Sequence, residues 1–194
     1  MAVMKNKEYF FFYTWFFIVG IPLSYMMGSH TFPWQASHAE GLTTLVNEQP
    51  NQLTVLHFLS VDCDCSKAVF EKLISRNPRT NELEKVFIMG KNLSWEKQLR
   101  KKHYQIETNE RDYFSTKLDI KAVPQLVIIK DRKILYSGGY SNVRAPASSQ
   151  IEDEKIIAEI SNKKSGTSSE RPIFGCLTGR VERKIYDPLK LKYE

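Results

Sequence analysis

Apolar residues recur along this chain in two rhythms, and the switches between them mark its elements. Leu53 to Leu59 is a near-continuous apolar run, the pattern of a strand buried on both faces. From Ser66 to Arg76 the spacing becomes helical: Val69 and Leu73 share a side with Phe70 and Ile74, and Asn77-Pro78 ends the helix. Leu83 to Met89 reads as a second strand, closed by Gly90. Ser94 to Tyr104 predicts a helix capped by Ser94, with Lys97, Arg100, Lys101 and Lys102 on its wet face. Ile106 falls in a short strand and Asn109 to Leu118 in another helix. Leu126 to Ile129 and Ile134 to Ser137 are strands joined by a turn from Lys130 to Lys133, and Gly138-Gly139 breaks the second. Glu152 to Ile160 is a final amphipathic helix. There is no internal repeat. The order β-α-β-α-(β)-α-β-β-α predicts an α/β domain with a mixed central sheet and helices on both faces.

The ends read differently. No charged residue lies between Glu8 and Glu40, and Tyr9 to Met27 is almost wholly apolar. A run of about 20 such residues spans a bilayer. The run is longer than the core of a cleaved signal peptide, and the small-residue site Ser37-His38-Ala39 lies far beyond it. Residues 1–28 are therefore expected to be an uncleaved transmembrane helix. Lys5 and Lys7 set the N-terminus in the cytoplasm and the rest on the outer side of the inner (plasma) membrane. Residues 29–50 read as a tether, with a short helix over Gly41 to Glu48. The domain spans 51–162. Ser161 to Glu170 is Ser-rich and polar, so 163–194 reads as a flexible C-terminal extension carrying Cys176.

Hydrophobic content of 42% and 11 Phe in 194 residues can furnish a core for one domain. The net charge of +6 is spread along the chain. Without a dense basic block or an aromatic-basic stripe, it argues against nucleic-acid binding. Cysteine is the informative residue. There are 3, an odd number and too few for a disulfide-stapled scaffold. Cys63 and Cys65 stand one residue apart where a buried strand meets a helix N-terminus. Unpaired N–H groups and the helix dipole favour a thiolate there, which is the reactive and metal-binding form. The neighbouring Asp62 and Asp64 oppose that effect.

A cysteine motif after the first core strand, with Val123-Pro124-Gln125 ahead of a hairpin, resembles the thioredoxin fold. The resemblance covers residues 50–162. A narrower one is to the membrane-anchored, thioredoxin-like RedB-type family of bacteria. It rests on Cys63-Asp64-Cys65-Ser66, on Ser137-Gly138-Gly139 and on Phe174-Gly175-Cys176. The likeness implies roles. Cys63 takes the nucleophile's position, with Cys65 and Cys176 as resolving thiols. Pro124 follows a cis bond that brings the backbone of Val123 beside Cys63, where a partner's extended chain can pair. His57, six residues before Cys63, stands where thioredoxins bury a carboxylate that assists proton transfer. It reads more readily as a hydrogen-bonded core histidine. Thioredoxins carry two residues between their cysteines and this chain carries one, so a Cys63–Cys65 disulfide would close a tight ring.

Two functions follow as expectations. One is a thiol–disulfide oxidoreductase that needs no cofactor. Its partners are protein thiols or disulfides and a redox donor or acceptor protein. The other is a metal-handling protein binding a soft ion such as Cu(I) through Cys63 and Cys65, joined by Cys176 or His57. Copper-delivery proteins of this fold use a late histidine, and no histidine follows His103 here. Zinc fits less well, for want of a fourth thiol or a Cys/His pair spacing.

Overall fold

The computed structural model describes residues 6–24, 34, 40–45, 52–144, 146–162 and 171–187. The 163–170 linker, most of the tether with His30 and His38, and both chain ends lie outside them.

Leu53–Ser60 forms strand β1, and all 8 of its residues are buried, as a near-continuous apolar run requires. It pairs in parallel with β2 (Glu82–Met89), which pairs in parallel with β3 (Gln105–Asn109). Three further strands follow: β4 (Ala122–Val123), β5 (Gln125–Lys130) and β6 (Lys133–Gly138). On its other side β1 meets β5 antiparallel, and β5 meets β6, giving the order β3-β2-β1-β5-β6. Asp131 and Arg132 both have positive φ, 49° and 60°, the backbone of a two-residue hairpin turn whose twist matches its strands. The fold is thus a mixed α/β sheet flanked by helices.

The sheet faces are covered unequally. One carries Val55 and Leu59 against α2 (Asp64–Ser75), α3 (Leu93–Lys101) and α4 (Asp153–Asn162) through Leu73, Leu99 and Ile157. The other carries Leu56 and Phe58 under a 3-10 turn (Glu40–Leu45) and a π-helical turn (Tyr113–Lys117) through Leu42 and Phe114. Expected helices on this second face are therefore short turns. The cap of α3 is Asn92, whose side chain accepts from the Trp95 N–H at 3.1 Å. The expected cap, Ser94, lies within the first turn and accepts from Gln98.

The chain does not end its structure with α4. Residues 171–187 form β7 (Cys176–Leu177) and α5 (Arg180–Tyr186), and β7 pairs antiparallel with β4. The expected transmembrane segment is helical over 6–24 but divided. Helix α1 (Asn6–Trp15) passes into a π-helical stretch (Phe16–Gly20) and a final turn. No helix among the described residues is long and apolar enough to cross a membrane. Tyr25 to Gly28 lie outside the described residues.

A charged network crosses the interior. Arg76, the C-cap of α2, donates to Glu84 on β2 at 2.8 Å and to Asp153 on α4 at 2.7 Å. Both carboxylates are buried. Burial would raise the Glu84 carboxyl, but hydrogen bonds from His57 and Arg76 and their charges outweigh it, holding the group at about 2. Removing one partner of a buried pair leaves an uncompensated charge. We expect Arg76→Met to lower stability by about 3–5 kcal/mol in urea denaturation. Lys72→Ala, which breaks a part-exposed pair with Glu154, should cost under about 1 kcal/mol.

Glu84 also sets a pH window. Its folded-state value of about 2 lies below the ordinary 4.5, so its stabilisation is complete above 4.5 and is lost as pH falls towards 2. Chemical denaturation across that range should show stability falling with acid, and Glu84→Gln should flatten the slope.

Candidate functional site

Topology brings the thiols to one end of the sheet. Phe58, near the end of β1, lies opposite Gln125 at the start of β5, so the loop after β1 and the segment before β5 are neighbours. Beyond β1 the chain turns at Val61-Asp62, with the Cys63 N–H donating to the Ser60 carbonyl at 3.3 Å. Cys63 is the extended N-cap of α2, and its carbonyl accepts from the Lys67 N–H at 3.0 Å. The Val123–Pro124 peptide bond is cis, as the resemblance implies. In its thiol form Cys63 donates to the Val123 carbonyl, 3.5 Å away. Cys63 is only 2% exposed.

The third cysteine arrives from the far end of the chain. In the β4–β7 ladder Cys176 is opposite Val123 and Leu177 opposite Ala122. None of the three cysteines is in a disulfide. They converge: Cys176 and then Cys65 are the leading hydrogen-bond partners that pull the Cys63 thiol well below its ordinary range, against the opposing effect of burial. The backbone N–H and the hydroxyl of Ser66 add to the lowering. Ser66 is itself fully buried and accepts from the Ser60 N–H at 3.1 Å, which fixes it. One of the two flanking acids is compensated, since the Arg111 guanidinium meets the Asp62 carboxylate. The arrangement provides one acidified sulfur with two further sulfurs in reach.

His57 stands apart from this cluster in its bonding. Its Nδ1 meets the Tyr140 hydroxyl at 2.9 Å and its Nε2 meets Glu84 at 3.2 Å, so both ring nitrogens are already engaged. The ring is fully buried and belongs to the Arg76 network. This geometry matches a hydrogen-bonded core histidine and leaves no nitrogen for a thiol. Among the described residues no group of three or more His, Cys, Asp or Glu is placed to hold a metal ion.

The sequence placed Ser66 in the Cys63-Asp64-Cys65-Ser66 motif without giving it a role, and gave none to the backbone that seats Cys176. The seating depends on glycine. A Cβ on Gly175 would stand 1.9 Å from the Val123 carbonyl oxygen. One on Gly139 would stand 2.3 Å from the Pro172 carbonyl oxygen, and one on Gly138 2.7 Å from that of Arg171. The Ser-Gly-Gly motif thus packs against residues 171–173, and the glycine of Phe-Gly-Cys against Val123, two close contacts that hold one segment.

No protein-family model matches the chain, and no curated protein does. Solved structures similar to it include a hypothetical protein from Sinorhizobium meliloti 1021, at 11% identity and TM-score 0.48, covering 66% of this chain and 79% of that one. Another is an uncharacterized conserved protein from Geobacillus kaustophilus, at 13% identity and TM-score 0.49, covering 76% and 88%.

The hydrogen-bond order around Cys63 makes a prediction. Cys176→Ala should raise the Cys63 titration midpoint more than Cys65→Ala does, as read by ultraviolet thiolate absorbance.

Proposed function

We propose that this chain is a membrane-anchored thiol–disulfide oxidoreductase of thioredoxin-like fold, with Cys63 as nucleophile. The observation that carries the reading is the convergence of Cys65 and Cys176 on an acidified Cys63 at a helix N-cap. The mixed sheet with flanking helices and the cis bond before Pro124 are compatible with that fold. Anchoring is favoured by the exposed apolar residues of the divided helical segment 6–24, among them Phe10, Phe11 and Ile18. The positions of Lys5 and Lys7 favour an outward-facing domain.

In the proposed reaction the Cys63 thiolate attacks one sulfur of a partner disulfide. A Cys63–partner disulfide forms, and the other partner sulfur leaves as a thiolate and takes up a proton. A thiolate of Cys176 or Cys65 then attacks the Cys63 sulfur and releases the second partner thiol. Two protein thiols are oxidised to a disulfide, and one partner disulfide is reduced by the same two electrons. The reverse sequence oxidises a partner dithiol. No cofactor enters, and a second redox protein resets the pair. Cys176 faces the site through strand pairing and avoids the tight Cys63–Cys65 ring, which favours it as the resolving thiol.

The test is the reduction potential of the full chain in glutathione buffers, with mass mapping of the linked cysteines. A reversible two-electron couple that joins Cys63 to Cys176 is expected, and Cys63→Ser should abolish it. No reversible couple, together with stoichiometric Cu(I) binding lost in Cys63→Ser, would overturn the reading in favour of metal handling.

A further inference from the structure

The segment 171–178 is held both by its backbone and by its side chains. Ile173, Leu177 and Thr178 are buried, and Arg171 pairs with Glu152. The Gly139 N–H donates to the Arg171 carbonyl at 3.2 Å, Ile173 exchanges two bonds with Trp34 at 2.9 and 3.0 Å, and the Thr178 N–H donates to the Lys121 carbonyl at 3.0 Å. Arg183 steadies the far end, donating to the carbonyls of Thr178 at 2.8 Å and Gly179 at 3.2 Å. Only Cys176–Leu177 of the segment is strand; it pairs with Ala122–Val123 beside the Cys63 sulfur and puts its own cysteine opposite Val123.

We infer that residues 171–178 are a displaceable strap that fills the partner-binding slot of this chain, and that the slot accepts an extended peptide with glycine immediately before its cysteine. The inference rests on the proposed exchange at Cys63. Backbone pairing supplies affinity and the pockets that bury Ile173 and Leu177 read side chains, so a partner segment of like pattern can replace the strap. Selectivity comes from the crowding at Gly175. Any residue in that register meets the Val123 carbonyl, and a Cβ there would be 1.9 Å from its oxygen. The strap also explains why Cys63 and Cys176 are 2% and 6% exposed although one is a nucleophile and the other its resolving thiol. With the strap seated, no outside disulfide reaches Cys63. With it lifted, the slot and the sulfur open together.

The probe is the octapeptide Arg-Pro-Ile-Phe-Gly-Ser-Leu-Thr, the strap sequence with serine replacing cysteine, so that its binding needs no thiol chemistry. It is titrated against the full chain and against Gly175→Ala and Arg183→Ala, whose straps are weakened. Both variants should alkylate at Cys63 at least tenfold faster than the parent and bind the peptide at least tenfold more tightly. The same peptide with alanine for glycine should not bind. In the parent chain, hydrogen exchange at Ile173 and Thr178 should proceed by local opening, at least a hundredfold faster than in β1. This measurement stands even if a variant fails to fold. Exchange of those amides only with global unfolding overturns the strap. Folded variants with the parent's alkylation rate do the same. Equal binding of the glycine and alanine peptides overturns the selectivity. Peptide binding without disulfide exchange in any form would leave the strap standing and remove the oxidoreductase reading.

Discussion

One guanidinium holds the architecture in register. Arg76 closes the C-terminal end of α2, the helix whose N-terminal end begins at Cys63. Its contacts with Glu84 and Asp153 tie that helix to β2 and α4, and Glu84 passes the tie to His57 on β1. Two buried carboxylates and a buried histidine would otherwise be costly in an apolar interior, so the packing exists only while this cation is in place. A helix clamped at one end against three neighbours presents its other end at a fixed place. The position of the thiols is therefore decided some twelve residues away from them.

At the site itself the decisive influences are also short-ranged and local in space. Burial works against a charged sulfur at Cys63, and only a ring of donors from Cys176, Cys65 and Ser66 reverses the sign. Arg111 removes much of the opposition from Asp62. The donors come from the start of one helix and from a segment more than a hundred residues later, so the sulfur's acidity is a property of the folded tail as much as of the motif.

The sequence was most legible where order is periodic. The apolar run of β1, the helical spacing through Leu73, and the turn at Asp131-Arg132 each carry a local signal that the fold obeys. It was least legible where pairing is long-range and brief. Strands β4 and β7 have two residues each, too few to show any alternation, and their pairing joins Val123 to Cys176 across more than fifty positions. The sequence pointed to Ser94 because both residue types cap well and only Leu93 separates them, whereas the fold uses Asn92. For His57, position in the sequence pointed towards the thiols, whereas its nitrogens are held by Tyr140 and Glu84. Neither partner is a sequence neighbour.

The backbone contact along Val123 has a consequence for shortened forms. The chain's own Cys176-Leu177 covers the carbonyl and amide groups of Ala122-Val123. Any form that stops before residue 171 would leave those groups to water, together with the sulfur that Val123 faces. With only two residues before Pro124, that bare edge is too short to template the stacking of foreign chains.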